Sequence, residues 1–348
     1  MKQKENATAA DMAEERDQER AAEGLARVMK VGLLAGGVLL ALGALLLLAA
    51  CHKESADAPA GGTAMVTVST SQLDVSMEGF GSTEGDEGGP KGTANGHGTA
   101  TAKGGRAVKE AVAEYGGIKA MTLAFFDAQG NAVFSTTQLR ADNTTYTTFG
   151  QFGAELPLGT YTMVALGYGS EQPMTLNGAT AAVFTADRCR ETFVVSQAVN
   201  VTSTNPLTLN AELSRVVSKV LVRSTDTRTA GVDSVRVTFA AGGKGVNPQT
   251  GLSTTNNGLS NCVAISTAVG AASSTISYLF LGSDQQTMNI TVETIKTNGS
   301  VYSTRTVTNV PLQRNKITVL RGPMYSTASG AGFTVSTAYL GDTTFVDF

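Results

Sequence analysis

From Met65 onward the chain is built of short runs in which apolar and polar residues alternate, separated by residues that favour turns. In "VDSVRVTFA" the side chains of Val235, Val237 and Phe239 fall on one side of an extended backbone and the polar residues on the other. A two-residue period of this kind marks a strand with one buried face. "MVTVSTSQLDVSM" (65–77), "LAFFDAQGNAVF", the stretch 161–166 and "ETFVVSQAVNV" read the same way, with Met121, Leu123 and Phe125 toward a core and Thr122 and Ala124 away from it. Asp127–Asn131 and Thr297-Asn298-Gly299 supply turns between such runs, because Asp and Asn bond to nearby backbone and Gly accepts positive φ. No convincing amphipathic helix accompanies them. Such a chain can bury its apolar faces only by stacking sheet on sheet, so the expected fold class is all-β. A composition dominated by Thr, Ser, Val, Gly and Ala, with no tryptophan, agrees.

The N-terminal region is set aside from fold reasoning. Residues 31–50, "VGLLAGGVLLALGALLLLAA", form an apolar run of about twenty residues, long enough at ~1.5 Å per residue to span a bilayer as a signal helix. Its end, Leu48-Ala49-Ala50-Cys51, resembles the lipobox of bacterial lipoproteins. That resemblance implies cleavage between Ala50 and Cys51, where a narrow protease cleft demands small side chains. It also implies acylation of the Cys51 thiol, with palmitate among the acyl chains. Residues 1–28 are long and acidic for a signal peptide, whereas Met29-Lys30 opens a compact one. Translation is therefore expected to start at Met29.

Residues 1–50 are thus expected to be extension plus signal peptide, and 51–63 a tether. Residues 64–205 would form an N-terminal β-sandwich, and 206–348 a C-terminal one. The first contains a Gly-rich loop, 79–106, with too little apolar surface to order itself. A formal net charge of −3 spread along the chain offers no electrostatic case for nucleic acid. With Cys51 carrying lipid, Cys189 and Cys262 could form a disulfide in an exported protein. Their separation in sequence favours two separate buried thiols.

Four passages carry a family resemblance: "LAFFDAQGNAVF", "LPLGTYTMVALG", "LSRVVSKVLVR" and "VPLQRNKITVLRG". In this order, with the lipobox, the chain resembles the fimbrillin superfamily of Bacteroidales, the lipoprotein subunits and anchors of type V pili. The resemblance implies two tandem transthyretin-like sandwiches and a structural role in an adhesive surface fimbria at the cell outer membrane. Its partners would be other fimbrial subunits, joined by strand exchange, and the outer membrane, through the lipid on Cys51. Proteolytic maturation in the family follows arginine, which places the cut between Arg106 and Ala107. Residues 65–77 would then be a removable outer strand, and 332–348 the candidate donor to a neighbour, or else the last strand of the second sandwich. An anchor would keep the first strand and a stalk subunit would lose it.

Constellations for catalysis are not found in the sequence. His52 and His97, the two histidines, lie beside the lipid site and in the Gly-rich loop, where neither is placed for a triad or a metal site. "GGKGV" lacks the Ser/Thr and the spaced glycine of a phosphate loop. One carboxylate in "DAQGN" is too few for a calcium loop. No enzyme activity, cofactor or metal is expected. The alternative function is a monomeric surface lipoprotein that binds a glycan or host protein, with Tyr146 and Tyr168 as candidate contact aromatics.

Overall fold

The structure, a computed structural model, describes residues 62–74, 78–79, 109–141, 149–185, 188–328 and 332–336. The expected signal helix, Ala50, Cys51, His52, His97, Arg106, Ala107 and Tyr146 lie outside them. The strands of the first half are β1 (Thr63–Asp74), β2 (Glu78–Gly79), β3 (Lys109–Ala111), β4 (Ala120–Phe126), β5 (Ala132–Leu139) and β6 (Gln151–Pro157). They continue with β7 (Gly159–Tyr168), β8 (Thr175–Leu176), β9 (Ala182–Val183), β10 (Thr192–Val201) and β11 (Leu207–Arg215). The second half holds β12 (Ser218–Thr227), β13 (Val232–Phe239), β14 (Gly245–Val246), β15 (Leu259–Ala264) and β16 (Ala272–Leu279). It ends with β17 (Gln285–Lys296), β18 (Val301–Gln313), β19 (Lys316–Gly322) and β20 (Thr334–Ser336). No helix appears among the described residues, and the fold is all-β.

An 8-stranded sheet runs β3-β1-β11-β10-β7-β4-β5, with β6 also on β1. It folds over at one corner. Only Phe193 and Val194 of β10 pair with β11, at Arg215 and Ser214, while all of β10 pairs with β7. The two leaves on either side of this corner share one core, with Val66, Val68, Phe152 and Leu213 from one leaf and Leu123, Phe125, Met163 and Phe193 from the other. Sheet on sheet is a β-sandwich. The second sandwich stacks the sheet β16-β12-β19, edged by β2 and β20, on the sheet β15-β13-β17-β18. Val220, Val222 and Leu320 of the first pack with Val235, Val237, Phe239 and Ile290 of the second. Val235, Val237 and Phe239 thus share the face that the alternation of "VDSVRVTFA" requires.

Three features depart from the expected layout. β4 is buried along its whole length rather than on one face. Met121, Leu123 and Phe125 enter the sandwich core, whereas Ala120, Ala124 and Phe126 enter a second apolar layer at the junction of the two halves. "LTLNAELSRVVSKVLVRSTD" is two strands, not one. β11 pairs with β1 in the first sheet, and the chain crosses to the second sandwich at Val216 and Val217. The stretch 151–157 is a strand that Gly153 and Pro157 mask in the sequence, although its burial alternates without a break.

The junction layer is dense with aromatics. Phe184 stands edge-on to Tyr168, with centroids 6.0 Å apart, and stacks on Phe280 at 6.2 Å. A small 3-stranded sheet, β14-β9-β8, joins a loop of the first half to one of the second. Asn261, 1% exposed, completes the seam. Its Oδ1 accepts from the Cys189 backbone N–H, and its Nδ2 donates to Ser277 Oγ and the Tyr278 carbonyl. This arrangement decides the cysteines. Cys189 and Cys262 are both free, the first buried and the second exposed. Successive residues on a strand face opposite ways, so with Asn261 aimed at Cys189, Cys262 must point to solvent. Burial pushes the Cys189 thiol pKa well up.

Candidate strand-acceptor groove

β1 is the strand that the sequence marks as removable, and it is not an outer strand. One edge pairs in parallel with β11 over Val66–Asp74. The other pairs antiparallel with β6 over Thr63–Ser69 and with β3 over Gln72–Asp74. Ala64, Val66, Val68, Thr70 and Leu73 turn inward and are essentially fully buried. Burial of each Val or Leu contributes about 1.5–3 kcal/mol, so the strand is a full member of the core. Without it, β11 and β6 would each face the gap with unpaired N–H and C=O groups, above an apolar floor.

A bulge sets the register. Pairing with β11 shifts between Ser69 and Gln72. There Thr70 donates to the Gly150 carbonyl twice, from its N–H at 2.9 Å and from its hydroxyl at 2.6 Å. Gly150 sits at φ +89, and a Cβ on it would come within 2.8 Å of Thr70 Oγ1. Glycine is needed on both counts. At the surface, Thr63 Oγ1 donates to Glu155 Oε1 at 2.5 Å, and Lys109 pairs with Glu212 at 2.6 Å. Exposed pairs of this kind add little.

Beyond β3 the chain is held firmly to the body. The Arg140 guanidinium donates to the carbonyls of Ile118, Ala113, Val112 and Tyr115 at 2.5–3.0 Å. It also lies 4.4 Å from the centroid of the Phe149 ring. Tyr115 donates to Glu191 Oε2 at 2.7 Å, and Glu191 pairs with Arg215 at 2.8 Å, both side chains almost wholly buried. Arg215 stacks over Phe193 at 4.7 Å, and its Nη1 reaches Asn315 Oδ1 at 3.3 Å. Burial first, then the Glu191 charge, pushes the Tyr115 phenol far above its ordinary pKa. Replacing Arg140 with Ala is expected to free the 112–118 turn and to cost about 2 kcal/mol, since several carbonyls lose a charged donor. Hydrogen exchange should then quicken across 112–118 while β13 and β17 stay protected; unchanged protection at the turn would refute the clamp.

Of the residues singled out in sequence, the candidate contact Tyr168 is 0% exposed. Its hydroxyl bonds to Thr122 Oγ1, so it is framework rather than a binding aromatic. Asp127 accepts from the backbone of Gln129 and Asn131 and from Asn131 Nδ2, as a turn requires. Among the described residues no group of three or more His, Cys, Asp or Glu could hold a metal ion. Gly150, Arg140 and the Glu191–Arg215 pair had no sequence signal, because each acquires its role from a partner distant in sequence.

A family model described as "Family of unknown function (DUF6562)" matches residues 172–345. No curated protein matches the chain. Among solved structures, a candidate adhesin from Bacteroides ovatus is similar at 8% identity, covering 79% of this chain and 96% of that one, with a TM-score of 0.42. The fimbrial anchor protein Mfa2 from Porphyromonas gingivalis is similar at 10% identity over 63% of this chain and 87% of that one, TM-score 0.36. A fimbrial assembly protein from Parabacteroides distasonis is similar at 10% identity over 79% and 95%, TM-score 0.33.

Proposed function

We propose, for a chain that belongs to the family of unknown function DUF6562, that its first sandwich is an acceptor for another subunit's strand. The protein would be an exported lipoprotein, acylated at Cys51 after cleavage at Ala50, and a structural subunit or anchor of an adhesive surface fimbria. The observation that carries this reading is the seat of β1, which has a hydrogen-bonding strand on each side. Once cut from the chain at Arg106–Ala107, β1 can leave only if something repairs both backbone rows and the core beneath them. A second extended segment does both at once. Residues from Val112 onward stay fastened by Arg140 and by Tyr115, so the cut would release the β1 side alone.

The test is the mature N-terminus of the surface protein, read by mass spectrometry, together with electron microscopy of cells with and without Cys51→Ala. Filament-borne protein is expected to begin at Ala107, and membrane-anchored protein at lipidated Cys51. Protein that begins at Cys51 everywhere, on cells bearing no filaments that contain it, overturns the proposal.

A further inference from the structure

The side chains that β1 turns inward are not evenly spaced. Ala64, Val66, Val68 and Thr70 are buried at every second position, and the next buried one is Leu73. The extra residue lies at the bulge, where Thr70 and Ser71 together face Ala211 of β11. On the other side of β1 the ladder with β6 ends at Ser69, and the ladder with β3 begins at Gln72. Between these two ladders the strand is held by the Gly150 carbonyl, which takes both the N–H and the hydroxyl of Thr70. Thr70 carries the one polar side chain among the five inward ones, and its Oγ1 lies 3.6 Å from Met121 Sδ.

The Gly150 carbonyl is itself held in place. Gln138, 4% exposed, accepts the Gly150 N–H at Oε1 at 2.8 Å and donates from Nε2 to the Gln151 carbonyl at 2.6 Å. These two bonds grip the chain on both sides of the Gly150 carbonyl. β5, which carries Gln138, and β6 are not paired with each other, so the amide stands where ladder bonds would. Phe149, one residue back, lies under the Arg140 guanidinium. None of these residues belongs to β1, so all of them stay when β1 leaves. A buried acceptor that cannot turn away costs free energy whenever its donor is missing.

We infer that the Gly150 carbonyl, fixed by Gln138, is a register peg that selects what the seat of β1 admits. An occupant must carry a hydroxyl at the place of Thr70 and one bulged residue before its last apolar side chain. The inference rests on the strand-acceptor reading above and adds the chemistry that any occupant must bring. Serine meets the peg as threonine does. Valine puts a methyl group where the hydroxyl now lies 2.6 Å from the carbonyl oxygen, too close for carbon. A segment without the bulge turns its last apolar residue to the outer face, because a slip of one residue reverses a side chain. Apolar alternation alone would accept many strands in several registers, and the peg leaves one. Gln138 is a positioning residue, acting through Gly150 rather than on the strand.

The full-length chain, with a site-specific protease sequence inserted after Arg106, is clipped there and given an excess of the synthetic peptide Thr63–Asp74. Native mass spectrometry follows replacement of the resident segment. The parent peptide and its Thr70→Ser form are expected to enter alike. The Thr70→Val form should enter about tenfold less, because it leaves the carbonyl short of a donor. A peptide lacking Ser71 should also enter about tenfold less, with Leu73 turned outward. In the Gln138→Leu chain the preference for Thr over Val should largely vanish, whereas a general loss of stability would weaken all peptides alike and keep the ratio. A ratio kept in full there overturns the role of Gln138. The parent chain tests the peg by itself, so a Gln138→Leu chain that does not fold leaves that comparison decisive. Peptides that enter without discrimination at residue 70 and without need of Ser71 overturn the inference and leave the acceptor reading standing. A clipped chain that never exchanges β1 for any peptide overturns both.

Discussion

Glu191→Ala is expected to destabilise the fold by roughly 3–5 kcal/mol, because it strands the Arg215 guanidinium in an almost dry site. Arg215 closes the corner where β10 and β11 join the two leaves of the first sandwich. The carboxylate that neutralises it, 2.8 Å away, also accepts the Tyr115 hydroxyl. Loss of the carboxylate therefore leaves two buried donors poorly matched, and the corner must open to hydrate them. Urea unfolding followed by tyrosine fluorescence should show a lower midpoint with an unchanged slope. The double variant Glu191→Ala, Arg215→Met should recover much of the loss, since an apolar chain of similar length needs no counter-ion. A double variant no more stable than Glu191→Ala would show that the pair is not what holds the corner.

Phe184→Ala should cost about 3–5 kcal/mol, by the removal of a fully buried aromatic and the cavity it leaves. Phe184 lies between Tyr168 and Phe280, at the centre of the junction layer. It comes from a loop of the first half, and Phe280 follows β16 of the second. The change therefore acts on the coupling of the two halves more than on either sandwich core. Calorimetry should find one melting transition in the parent and two, beginning at lower temperature, in the variant. One sharp transition at an unaltered temperature would refute the role given to the junction.

Much of the fold was legible in the sequence. The faces of β13 and β10 follow from alternation, and the Asp127–Asn131 turn follows from three residues whose bonds close within five positions. β6 was not: Phe152, Ala154 and Leu156 alternate, but Gly153 and Pro157 between and after them read as a turn. The neighbours of β1 were not legible. Alternation says which side chains share a face and is silent on which strand lies alongside.

Local sequence by itself determined the class of this protein, its strand faces and its turns, because each of these depends on residues a few positions apart. Only the tertiary structure decided that β1 is an inner strand between β11 and β6, that β4 is buried on both faces, and that Cys262 points away from Cys189. It alone brought Glu191 to Arg215 and Asn261 to the Cys189 backbone. The physical reason is that strand pairing and second-layer burial are settled by how the whole core packs, among partners separated by most of the chain.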